Sequence, residues 1–243
     1  MDGIWVFVAA GGGIGALVGL ALLAPAILPR LFGSKNKATA EPDRLQATVR
    51  LYEQLDKDEQ ARLKTQTILF LKKKKLSAEG GKLPPILAAA IAGNACLLRL
   101  QPKADCYPDL REVVLTEGAT QISKKRIALN WSEVQNGLGS PRNPVVRAFA
   151  QILRDTPTGS NKNRSGAQYP EKWEREFSAA SGETNIKESP VFATHGEDAT
   201  NDLFLSGCEA YFQQGDELAR EHREIYSLFN EFFSVESAKL GHL

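Results

Sequence analysis

The sequence predicts an α+β domain, mostly helical with a small central sheet, preceded by a single transmembrane helix. Three observations carry this prediction. Residues 3–29, GIWVFVAAGGGIGALVGLALLAPAILP, contain no charged side chain. Beyond them, apolar residues recur mainly at helical spacing. Only two short β-rich runs interrupt that pattern, REVVLTE at 111–117 and RIALNW at 126–131, and both fall mid-chain. Strands clustered among more numerous helices indicate an α+β arrangement.

The apolar run is long enough to cross a hydrocarbon core of ~30 Å as a helix. Trp5 stands near one end, where an indole suits the headgroup level. Asp2 precedes the run, whereas Arg30, Lys35 and Lys37 follow it, so the positive-inside tendency predicts an outward N-terminus and a cytoplasmic C-terminal domain. The expected location is therefore the inner cell membrane, with a single pass. Ala24, Pro25 and Ala26 resemble a signal-peptide cleavage site, but the residues before the run lack the Lys or Arg of a signal peptide. An uncleaved anchor is expected. Gly11, Gly15 and Gly19 repeat every four residues, a small-residue face on which another membrane helix can pack closely. The same glycines make a poor nucleotide loop, since no strand precedes them.

The boundaries follow: an anchor at 1–32, a polar linker at 33–43 (GSKNKATAEPD) and a domain at 44–243. Hydrophobic residues make up 42% and charged residues 24%, so the domain can build a real core. A net charge of +1 gives no case for nucleic acid as a partner. Cys96, Cys106 and Cys208 are too few and too scattered for a disulfide framework or a cysteine-type zinc site, which fits a reducing compartment.

Helical spacing runs from Arg44 to about Lys75 and breaks near Asp56, predicting two helices. Asp56, Asp58 and Glu59 suit the N-terminal dipole of the second, and Lys72 to Lys75 its C-terminal end. That lysine run reads as a solvated helix end; anionic headgroups are the other reading. PPILAAAIAGNACLLRL, at 84–100, is too interrupted for a second span and predicts a buried helix. Polar loops are expected at 156–169 and 181–190, with a helix between them. LFLSGCEAYFQQ (203–214) and REIYSLFNEFF (223–233) predict late helices.

NPVVRAFAQILRD, at 143–155, predicts a helix with Val146, Phe149, Ala150 and Leu153 on one face and Arg147, Gln151 and Arg154 on the other. Residues four apart point the same way, the geometry by which two histidines of His-Glu-x-x-His hold one zinc ion. Here the five letters are Arg147, Ala148, Phe149, Ala150 and Gln151.

With these pieces in this order, the chain resembles the zinc peptidases of the Mlc titration factor A type, relatives of the anthrax lethal factor catalytic domain. The similarity covers roughly residues 44–233. AAAIAGNACLL resembles the family's alanine-rich buried helix, and ALNWSEVQNG its strand and tryptophan segment before the metal helix. VVRAFAQILRD stands where the family reads V-x-H-E-F-A-H-x-L-D. WEREFSAA and the stretch from SGCEAYFQQ onward are similar to its final helices, which carry a third ligand, a Glu. The resemblance implies a zincin-like fold. It places the two zinc histidines at Arg147 and Gln151 and the general base at Ala148.

None of the three substitutes can do that work. A guanidinium has no lone pair to give, a carboxamide oxygen is a poor zinc ligand and a methyl takes no proton from water. No metal and no cofactor are therefore expected, and the chain reads as a degenerate, non-catalytic peptidase relative. Asp202 and Glu209 are seven apart and share a helical face, and the resemblance leaves open which of them matches the third ligand. Whichever faces the old metal position needs a positive partner, and Arg147 is expected to reach it. His195 reads as a loop residue near Glu197, Asp198 and Asp202, His222 as a surface or partly packed residue, and His242 as terminal.

The functional expectation is a protein-binding adaptor on the cytoplasmic membrane face. The resemblance implies that a bound peptide would lie along an edge strand formed by Arg126, Ile127, Ala128, Leu129, Asn130 and Trp131, held by main-chain hydrogen bonds. One alternative is an accessory subunit of a membrane complex, packed through its glycine face. Another is an active zinc peptidase with an unrecognised metal site. A small-molecule substrate is not expected.

Overall fold

Asp56 sets the first long helix. Its side chain accepts the Glu59 amide at 2.7 Å and the Glu59 carboxylate returns to the Asp56 amide at 3.0 Å, a reciprocal cap. In this computed structural model, residues 42–100, 106–155, 175–179, 186–195 and 202–237 are described. The chain divides into Met1–Lys37 and Ala38–Leu243, and all described residues belong to the second unit. The expected anchor, with Gly11, Gly15 and Gly19, lies outside the described residues. Among those described, no helix is long and apolar enough to cross a membrane.

Helix α1 (Pro42–Thr48) and a 3-10 turn (Tyr52–Gln54) precede α2 (Lys57–Lys73). Strand β1 (Lys75–Ala78) follows almost without a loop, then α3 (Pro85–Leu97) and β2 (Glu112–Thr116). Next come β3 (Gln121–Ile122), β4 (Arg126–Asn130), α4 (Trp131–Gly137) and α5 (Pro144–Asp155). After 3-10 turns at Ile186–Glu188 and Ala193–His195, the chain closes with α6 (Leu203–Gln213), α7 (Gly215–Glu221) and α8 (Arg223–Ser237). The described part is thus mostly helical with a four-stranded mixed sheet, in keeping with the α+β prediction.

The sheet order is β1-β2-β4-β3. β1, β2 and β4 are parallel, with Lys75 opposite Glu112 and Glu112 opposite Arg126, while β3 runs antiparallel to β4. Neither β1 nor β3 stands out in the sequence: β1 begins inside the lysine run and β3 is two residues long. Trp131 was expected to end a strand and instead opens α4, because the Asn130 side chain accepts the Glu133 amide at 2.9 Å and caps a helix there.

Helix α3 is buried from Leu87 to Leu97 on every face, packed against α1, α2 and α5. A helix surrounded this way needs short side chains, which is why it is alanine-rich. At Gly93 a Cβ would come within 2.8 Å of both Leu45 and Val49, so the glycine sets the approach of α1. Asn94, fully buried, donates to the Thr48 and Ala90 carbonyls at 3.1 and 2.9 Å and accepts from Asn143 at 3.5 Å. One amide thereby links α1, α3 and the start of α5.

Candidate functional site

Asn143 sets the start of α5. Its carboxamide oxygen accepts the Val145 and Val146 amides at 3.0 and 3.3 Å, and Pro144 takes the first helical position, where no amide donor is needed. Val145, Val146, Ala148, Phe149, Ala150, Ile152 and Leu153 are buried. Arg147, Gln151 and Arg154 are the partly exposed residues between the ends of the helix, the polar face that the spacing predicts. Phe149 anchors the apolar side, with ring centroids 4.9 Å from Tyr107 and 5.9 Å from Phe70.

Helix α6 packs on α5. Asp202 caps it by accepting the Leu205 amide, and Glu209 follows two turns later with no exposed side-chain surface. Arg147 Nη1 lies 3.1 Å from Glu209 Oε2. Arg154, two turns further along α5, pairs with Asp202. The two ion pairs form the rungs of a ladder between helices running in opposite directions. Burial opposes the Arg154 charge, but the hydrogen bonds and charges of Asp202 and Asp155 raise its pKa above the ordinary arginine value. Of the two carboxylates left open by the sequence, Glu209 is the one that meets Arg147.

His195 corrects the sequence reading. It stands in the Ala193–His195 turn, buried, with Nδ1 3.4 Å from Glu209 Oε2. The apolar pair Val191 and Phe192 draws this turn into the core, and the Phe192 ring centroid lies 6.2 Å from that of His195 and 5.4 Å from that of His222. That pair was the signal the sequence offered. Among the described residues, neither ring nitrogen of His195 makes a hydrogen bond, nor does Glu209 Oε1 or Gln213 Oε1. His222 is part-buried and shares a 2.6 Å hydrogen bond with the Ser189 hydroxyl. Cys208, beside Glu209 in sequence, is fully buried, and burial together with the Glu209 charge pushes its thiol pKa well up, which leaves it unreactive.

The residues at this place do not fit a divalent ion. Arg147 aims a cation at the carboxylate a metal would need, Ala148 contributes a methyl and Gln151 a carboxamide. Among the described residues, no cluster of three or more His, Cys, Asp and Glu side chains comes together to hold a metal ion.

The proposed peptide edge also needs correction. Arg126 to Asn130 form an interior strand, paired on one side with β2 and on the other with β3. Where β3 ends, the Arg126 carbonyl accepts from Ser123, and the Asn130 amide donates to Thr120. Its main-chain groups are therefore already committed. The outer strand on that side is β3, which packs beside α5. The Trp131 indole instead walls a pocket of about 240 Å³ with Ala78, Leu115 and Glu117, at the carboxyl ends of the parallel strands.

Compared with known families, residues 30–165 match a family described as glucose-regulated metallo-peptidase M90. The matched stretch contains α5 and ends before α6, so Glu209 lies beyond it. Among curated proteins, none matches the chain.

Proposed function

We propose that this chain, which belongs to the glucose-regulated metallo-peptidase M90 family, works by binding protein rather than by cleaving it. The observation that supports this reading is the contact between Arg147 and the fully buried Glu209. Metal-assisted hydrolysis needs a cation with an open coordination position and a base to take a proton from water. Here a guanidinium holds the carboxylate, and a methyl stands at the base position. A fixed positive charge can balance Glu209, but it cannot generate hydroxide.

The domain then serves as an adaptor on the cytoplasmic membrane face, tethered through residues 3–29. A client segment would add to the sheet along β3, since β4 has no free edge, and main-chain hydrogen bonds would supply its affinity.

Purification of the full chain in mild detergent tests this reading. We expect protein lacking stoichiometric zinc, no chelator-sensitive proteolysis and a loosely held client in the mass spectrum. Tightly bound zinc with chelator-sensitive cleavage would overturn the non-catalytic reading. Comigration with a stoichiometric membrane complex would replace the adaptor with an accessory subunit.

A further inference from the structure

The three parallel strands begin at the same end of the sheet, and each is preceded or opened by cations. Lys72 and Lys73 end α2 and Lys75 opens β1; Arg111 precedes β2; Lys124 and Lys125 precede β4, which Arg126 opens. Register brings these segments side by side: Lys75 pairs with Glu112, Glu112 with Arg126, and the Lys125 carbonyl accepts the Arg111 amide. All seven cations are exposed, and among the described residues the acids interspersed with them are Asp109 and Glu112. Glu112 is already shared by Lys75 and Arg126, at 2.7 and 3.3 Å. Lys74 does not join them, because it is buried with its ammonium on the Tyr107 carbonyl.

Guarding a sheet edge accounts for one lysine on β1. It does not account for Arg111, Lys124, Lys125 and Arg126, which precede or open strands inside the sheet. Like charges this close repel, and a chain of net charge +1 has acids elsewhere that could have separated them. We propose that this basic end of the sheet docks on anionic phospholipid headgroups. Five of the seven cations are lysines, whose compact charges suit diffuse headgroup contact. The neighbouring aromatic residues Phe70 and Tyr107 are buried, so they offer no stacking platform for bases and no exposed anchor for a protein hot spot. In sequence, the apolar run ends at Pro29 and α1 begins at Pro42, a short tether. The inference rests on the membrane-side reading above, and the test separates the two.

The full chain is mixed with vesicles of phosphatidylcholine alone, or with phosphatidylglycerol added. Flotation with neutral vesicles reads the apolar anchor alone. A membrane-impermeant amine reagent, followed by mass spectrometry, reads the docking face. On anionic vesicles, labelling of Lys72, Lys73, Lys124 and Lys125 should slow roughly fivefold. Lys57 and Lys82, away from this end, should not change. High salt should reverse the protection, and a Lys72→Glu, Lys124→Glu, Lys125→Glu variant should lose it while still floating. Equal labelling on both vesicle types would overturn the docking face and leave the anchor standing. Salt-reversible flotation on anionic vesicles alone would support the face without the anchor. Flotation on neither would sink both, and protection by added RNA or an acidic protein in place of lipid would also overturn the proposal.

Discussion

Arg147 fills a position where the family resemblance implies a zinc histidine, and it places its charge on a carboxylate with no solvent-exposed side-chain surface. Removing one partner of such a pair costs more than the pair contributes, because the other charge stays buried. Arg147→Ala should therefore lower stability by about 2 kcal/mol in urea unfolding, discounted from the fully buried case because part of the guanidinium reaches solvent. Arg147→Met combined with Glu209→Leu should recover most of that loss, and an equal or larger loss in the double variant would contradict the assignment. His222 gives a pH signature. Burial lowers its pKa, with the Glu221 charge opposing. The unfolded chain then binds the proton more readily than the native one, so stability rises with pH across the shift. The His222 contribution should be present above pH 6.5, histidine's ordinary value, and lost as pH falls through the lowered native value. His222→Gln should flatten that slope in pH-dependent melting curves.

At the scale of elements, the periodicity in the sequence was enough to find α2, α3, α5, α6 and α8, because each buries a continuous apolar face or, in α3, its whole surface. It failed at β1, whose partner β2 lies beyond an intervening helix, and at β3, which is only two residues long. Helices α6 and α8 meet at Gly207, where a Cβ would fall 2.3 Å from the Phe229 ring. That ring is fully buried among Phe177, Phe204, Tyr211 and Phe233 and has nowhere to move. Alanine is the better helix former by ~1 kcal/mol, yet Gly207→Ala should destabilise by about 1–3 kcal/mol through overpacking. A stabilised variant in thermal unfolding would show that the two helices are not held this closely.

Across the whole molecule, the described helices and sheet enclose a core in which all three cysteines are buried thiols. The native protein should show no fast-reacting thiol toward an aromatic disulfide reagent, and all three should react in denaturant. A rapid native reaction would mean that the core opens more readily than its packing implies. Asn94 ties α1, α3 and α5 together through side-chain bonds. Asn94→Leu should cost about 1–3 kcal/mol, since it strips the Thr48 carbonyl and Asn143 of a buried partner. Hydrogen exchange in α1 should rise with it.

By itself, the sequence determined the family resemblance, the main helices and the side chains at positions 147, 148 and 151, an arginine, an alanine and a glutamine. Those rest on side-chain identity and local period, which neighbours in sequence set. Only the tertiary structure decided that Glu209 rather than Asp202 faces Arg147, that His195 is buried beside them, that β4 is an interior strand, and that seven cations share one end of the sheet. Each of these depends on how helices pack or on which strands register side by side, and the period of a single segment does not encode its partner.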